Sequence, residues 1–199
     1  MADDPRPQRS RAVSLALAPG ALTLVSGPAG SGKSLWAEHL AHGSNCLVVY
    51  LATGPELPDD HSWQRRLQRH RLRRPPGWLC REVGEHLATG LGRLHFGELA
   101  LVDSLGTWVA ALLEQEEADW QASCAQLQEA ISTCPAPVLM VCEEVGWGVV
   151  PATAAGGRFR ERLAALQQRL TARADAAWLV LQGRALDLLV HSLPVPETP

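Results

Sequence analysis

Short apolar runs without strict alternation recur along the chain, at Ala21 to Ser26, Cys46 to Ala52, Leu99 to Asp103, Val138 to Cys142 and Trp178 to Gln182. Strands buried on both faces read this way, because every side chain meets a covering layer whichever way it points. The intervening stretches Ser34 to His42, Leu105 to Glu114, Trp120 to Ser132 and Arg158 to Ala174 place apolar residues three and four apart, as amphipathic helices do. Alternation of the two patterns predicts an α/β fold, a mostly parallel sheet with helices on both faces. Residues 53 to 98 make too long a connection for an ordinary crossover and read as a functional insertion. It opens with a Gly/Pro/Asp loop, Gly54 to Asp60, continues as an Arg-rich helix ending near Arg74-Pro75-Pro76-Gly77, and adds a strand at Trp78 to Val83. Residues 1 to 11 and 191 to 199, polar or Pro-rich, are expected to be frayed tails around one domain, 12 to 190.

A chain of 199 residues can build one hydrophobic core but hardly two. With 46% hydrophobic residues, 20% charged residues and a formal charge of -3, neither a disordered chain nor a globally basic nucleic-acid binder is indicated. The longest apolar candidate for a membrane span, Ala12 to Val25, is broken by Pro19 and Gly20. Arg6, Arg9 and Arg11 before Val13 to Leu17 imitate a secretory leader, but the apolar part is only about five residues where about seven or more are needed. Five cysteines at wide spacings, without paired ligand motifs, argue against a disulfide scaffold or structural zinc, so a reducing, cytoplasmic compartment is expected. Among the 18 basic residues one alone is lysine, Lys33, which marks a place where a compact ammonium is needed and a planar guanidinium would not serve.

That lysine lies in Gly27-Pro28-Ala29-Gly30-Ser31-Gly32-Lys33-Ser34, a G-x-x-x-x-G-K-[ST] loop between a predicted strand and a predicted helix. Such a loop aims backbone N–H groups and a helix N-terminus at phosphate oxygens. Lys33 would reach the β- and γ-phosphates, and the Ser34 hydroxyl a Mg²⁺ ion. A metal-side carboxylate is expected at the end of an apolar strand, and Asp103 closes Leu99-Ala100-Leu101-Val102; the alternative is that Asp103 or Ser104 caps the helix that follows. Residues 65 to 74 hold six arginines around His70, and helical spacing puts Arg66, His70 and Arg73 or Arg74 on one side. A solvated basic helix is the plain reading. In a nucleotide-binding domain, however, guanidiniums would keep the imidazole neutral, hence nucleophilic, and neutralise a triphosphate. Glu143 and Glu144 are either acid/base groups or structural carboxylates bonded to the glycine turn after them.

These motifs resemble, in order, those of the bifunctional adenosylcobinamide kinase/adenosylcobinamide-phosphate guanylyltransferase family. The resemblance runs from about Leu22 to Gly183. It rests on the phosphate loop, Tyr50-Leu51-Ala52-Thr53, Arg66-Leu67-x-x-His70-x-x-x-Arg74-Pro75-x-x-Trp78, Glu144-Val145-Gly146-Trp147-Gly148-Val149-Val150-Pro151 and Arg158-Phe159-Arg160-Glu161. It implies a RecA-like P-loop domain, assembly as a homo-oligomer and two reactions at a shared nucleotide site. One is phosphorylation of adenosylcobinamide by ATP or GTP; the other is transfer of GMP from GTP, through a guanylylated histidine, to adenosylcobinamide phosphate. His70 holds that histidine's position, and Ala52, Thr53, Gly54, Arg71, Leu72, Arg73, Arg74, Glu82 and Asp103 fall where the family contacts the nucleotide. The competing readings are a RecA-like ATPase whose arginine helix grips nucleic acid, and a nucleotide-binding regulatory module without turnover.

Overall fold

The computed structural model describes residues 15–55, 57 and 59–196, so the N-terminal tail and most of the leader-like stretch, 6 to 14, lie outside the described residues. In chain order the elements are β1 (Leu22–Gly27), α1 (Lys33–His42), β2 (Leu47–Ala52), α2 (His61–Arg73), β3 (Leu79–Glu82), α3 (Leu87–Leu91) and β4 (Glu98–Asp103). There follow α4 (Leu105–Ala111), α5 (Glu117–Ser132), β5 (Val138–Glu143), α6 (Ala154–Thr171), β6 (Ala176–Leu181), β7 (Arg184–Asp187) and α7 (Leu188–His191). The strands form one sheet in the order β3-β2-β4-β5-β1-β6-β7, parallel throughout except for β7, which runs antiparallel to β6.

Successive strand residues divide between the two faces, which is why the runs are apolar without interruption. Leu24, Val49, Val102 and Met140 pack with Leu87, Trp108, Trp120, Leu127 and Leu163 of α3 to α6. Their neighbours Val25, Val48, Leu101 and Leu139 pack instead with Ala37, Leu40 and Ala41 of α1. No helix among the described residues is long and apolar enough to cross a membrane.

Local chemistry sets the helix starts. Ser104, not Asp103, caps α4 in a reciprocal box with Thr107, which frees the Asp103 carboxylate for other work. Thr153 accepts a bond from Gly156 N, 3.1 Å, and so starts α6 at Ala154, four residues before the apolar spacing becomes legible at Arg158. Similarly α5 begins at Glu117 rather than Trp120, with Glu117 and Asp119 favourably placed in its first turn. The buried Arg162 guanidinium donates to the carbonyls of Leu112, Leu113 and Gln115, closing the C-terminal end of α4.

The hairpin joining β6 to β7 is a feature the apolar pattern does not announce. Gln182 and Gly183 both have positive φ, 51° and 73°, as a tight two-residue hairpin turn requires. Gly183 N donates to Ser31 O at 3.2 Å, so the turn braces the phosphate loop from the side.

Candidate active site

The loop from Gly27 to Ser34 leaves the C-terminal end of β1 and turns into α1. Gly30 and Gly32 adopt φ of +74° and +97°, a conformation other residues resist, and Gly32 opens the helix with no side-chain cap. Lys33 N donates to Ser31 Oγ at 3.3 Å and Trp36 N to Gly32 O at 2.9 Å, which leaves the Ser34 and Leu35 N–H groups for an anion. Lys33 is 5% exposed, and its Nζ lies 3.4 Å from Pro28 O, a long bond across the loop. Among the described residues the Ser34 hydroxyl has no hydrogen-bond partner.

A cleft opens along the same sheet edge, on the far side of β5 from the loop, at the C-terminal ends of β2, β3 and β4. The C-terminal edge of a parallel sheet is where such folds bind ligands. Tyr50, Ala52, Gly54, His70, Arg71, Arg74, Glu82 and Asp103 line it. Seven of these eight were legible in the sequence; the structure adds Tyr50 as a wall of the site.

At its floor Asp103 Oδ2 accepts the Tyr50 hydroxyl at 2.7 Å and stands 3.3 Å from His70 Nδ1. Burial alone would raise the Asp103 pKa, but the hydrogen bonds from His70 and Tyr50, aided by the charges of His70 and Lys33, hold the carboxyl below its ordinary range. Burial and the adjacent carboxylate push the Tyr50 phenol far up, so it stays a donor. The sequence reading surrounded His70 with guanidiniums only. Here the imidazole faces a carboxylate as well, with Arg73 Nη2 at 3.4 Å from the same Nδ1, so its surroundings are mixed in charge.

Three of the described arginines are already engaged. Arg73 pairs with Glu38 of α1 at 2.8 Å, Arg71 with Glu82 at 3.7 Å, and the Arg74 guanidinium lies 3.5 Å over the Tyr50 ring. Arg74 falls one residue past α2, and the side chain of Arg66 is not described. Leu72 is 78% exposed and stands outside the cleft. Thr53 is buried in a joint, its Oγ1 donating to Ser104 O at 2.6 Å and accepting from Ser104 N at 2.8 Å, while its N–H donates to Asp103 O at 3.4 Å, and it does not line the cleft. Glu144 Oε1 accepts from Gly146 N at 2.8 Å, and Glu143 Oε2 from Gly106 N at 2.9 Å. Glu144 thus bonds the glycine turn that follows it, whereas Glu143 bonds the first turn of α4 instead.

Against known proteins, residues 23–188 match the family model described as cobinamide kinase / cobinamide phosphate guanyltransferase. The bifunctional adenosylcobalamin biosynthesis protein CobU of Escherichia coli is 34% identical over 177 residues, 81% of this chain and 96% of that protein. The CobP protein of Pseudomonas aeruginosa, of the same description, is 32% identical over 169 residues, 83% of this chain and 95% of that protein. In fold, the chain is similar to an ATPase of a bacterial type III secretion system, with a TM-score of 0.55 at 11% identity over 86% of this chain and 58% of that one. That likeness bears out the RecA-like P-loop fold and goes no further.

Proposed function

The chain belongs to the cobinamide kinase / cobinamide phosphate guanyltransferase family, and on that premise we propose a division of labour among its residues. It is a transferase of cobalamin biosynthesis that phosphorylates adenosylcobinamide and then transfers GMP from GTP to the phosphate. The Gly27–Ser34 loop and Lys33 hold the triphosphate, and the cleft beyond it takes the rest of the guanine nucleotide against Ala52, Gly54, Arg71 and Glu82. His70 is the nucleophile for guanylyl transfer. The observation that carries this reading is its imidazole, on the cleft wall beside Asp103, with Arg71 and Arg74 lining the same space. Guanidiniums there would bind the phosphates and stabilise charge gathering on phosphorus.

Ser34 and Asp103 would hold Mg²⁺, which fits the free Ser34 hydroxyl and the one Asp103 oxygen without a partner among the described residues. When bound it would neutralise phosphate charge. The described residues offer no cluster of three protein ligands, so phosphate oxygens and water would complete its shell. ATP and GTP are both proposed as phosphoryl donors for the kinase step.

A nucleic-acid-gripping helix would present its arginines to solvent as a stripe. Arg71, Arg73 and Arg74 instead pair with Glu82, Glu38 and Tyr50, which disfavours that reading. The proposed homo-oligomer is supported by exposed apolar residues along β7 and after it, Leu186, Leu189, Val190, Leu193 and Val195. Sedimentation equilibrium should return a multiple of the 21.5 kDa chain mass; a monomer at micromolar concentration removes that proposal.

None of the described α2 side chains is buried, and Arg73–Glu38 and His70–Asp103 tether the helix to the sheet. Such an element opens at low free energy, and a bound triphosphate would join it to the phosphate loop. Hydrogen exchange over residues 61–74 should slow by at least about tenfold with saturating GTP and Mg²⁺. Unchanged exchange would separate α2 from nucleotide binding.

A further inference from the structure

We propose that Tyr50 is a positioning residue for guanylyl transfer, acting through Asp103 to present His70 Nε2, and not Nδ1, to the α-phosphorus. The inference rests on the assignment of His70 as nucleophile. The chain contains one tyrosine, and it sits in the middle of an otherwise aliphatic strand, β2. A buried phenol needs a partner, and this one donates to Asp103 Oδ2 at 2.7 Å while its ring lies under Arg74. The bond fixes the carboxylate's rotation. The same Oδ2 then stands 3.3 Å from His70 Nδ1.

A carboxylate accepts only, so the contact is favourable only when Nδ1 carries the proton. The competing neighbour, Arg73 Nη2 at 3.4 Å, could donate to a bare Nδ1, but it is the more distant and already makes a 2.8 Å bond to Glu38. Neutral His70, a lining residue of the cleft, is therefore the Nδ1–H tautomer, with the lone pair on Nε2. In the transfer, the Nε2 lone pair forms the N–P bond as the bond from the α-phosphorus to the bridging oxygen breaks, and pyrophosphate leaves with that electron pair. The Nδ1 proton stays in place toward Asp103, which stabilises the positive charge the ring acquires. A phosphate-monoester oxygen of the acceptor then forms the new P–O bond, and the N–P electron pair returns to Nε2.

Two readouts test this on the whole protein. Nitrogen-15 NMR of histidine-labelled wild type should show His70 as the Nδ1–H tautomer, and protein guanylylated with GTP should carry the phosphoramidate on Nε2. Tyr50→Phe keeps the ring under Arg74 and removes only the hydroxyl. It should bind GTP within about twofold of wild type, lose a single tautomer signal at His70, and be guanylylated about ten- to a hundredfold more slowly. A wild-type Nε2–H tautomer, or linkage through Nδ1, overturns the proposal without any variant. So does a Tyr50→Phe protein that keeps the tautomer and needs only more Mg²⁺ for full rate, because Tyr50 would then serve the metal side of Asp103. If wild type takes no label from GTP, the functional reading itself fails, whereas label on His70 with no Tyr50 effect sinks this inference alone.

Discussion

Lys33→Arg and Lys33→Ala are both expected to lose at least about a hundredfold in kcat/KM for cobinamide phosphorylation and in the rate of guanylylation by GTP, roughly 2.7 kcal/mol of transition-state binding. A composition of seventeen arginines and one lysine shows that this chain uses guanidinium wherever it serves. At position 33 the side chain is 5% exposed, wrapped by a loop whose path is set by Gly30 and Gly32 and braced by the Gly183 turn. An ammonium fits there as a point charge; a planar fork is wider and carries its donors at fixed angles. Among the described residues Lys33 Nζ bonds only Pro28 O, and at 3.4 Å that bond is too long to contribute much to the fold. Thermal melting of both variants should therefore stay within a few degrees of wild type, which separates lost chemistry from lost structure. Calorimetric binding and steady-state turnover check the prediction, and a Lys33→Arg enzyme with wild-type affinity and rate would contradict it.

The strands and the phosphate loop were legible because their signals are local. Five apolar runs became five central strands, each within two residues of its expected start, since two covering layers impose the same continuous pattern everywhere. Boundaries set by single polar atoms were less legible, as at Thr153, where a hydroxyl starts α6 ahead of its apolar face. The β6 to β7 hairpin was missed although Gln182-Gly183 carries a turn residue, because Arg184 to Asp187 has no apolar run to mark a strand. Arg162 was missed too, since a buried cation capping another helix leaves no periodic trace.

In the site, residue identities were legible and their partners were not. His70 and Asp103 are 33 positions apart, and only the folding of the 53–98 insertion back over β4 brings them to 3.3 Å. Tyr50 was read as part of a strand-end motif and not as a working side chain. A signal existed: a lone tyrosine inside an aliphatic strand demands a buried acceptor, and Asp103, two positions beyond Leu101, which faces Tyr50 in the β2–β4 register, lies at a strand end. The electrostatics of His70 misled for the same reason. Counting arginines along a helix omits the carboxylate that another strand supplies.

His70→Asn is expected to abolish covalent guanylylation and reduce GMP transfer by at least about 10⁴-fold while GTP still binds at the phosphate loop. The variant removes the attacking nitrogen and leaves Lys33, Ser34 and the loop N–H groups untouched. Asparagine is short and polar, so the cleft stays open and the Arg73–Glu38 pair keeps α2 tethered. The other histidines near this region do not offer a substitute. His61 is at the opposite end of α2, and His86 points to solvent with a 77% exposed side chain.

The central claim is that GMP travels through His70, and labelling with GTP carrying the isotope in its α-phosphate tests it most directly. Wild type should take up one GMP per chain, release pyrophosphate, and hold the label in base but lose it in acid, as a histidine phosphoramidate does; label in the γ-phosphate should not remain on the protein. Peptide mapping should place the label on residue 70, and His70→Asn should stay unlabelled. Label that persists in His70→Asn, or that maps to His61 or His86, would contradict the account.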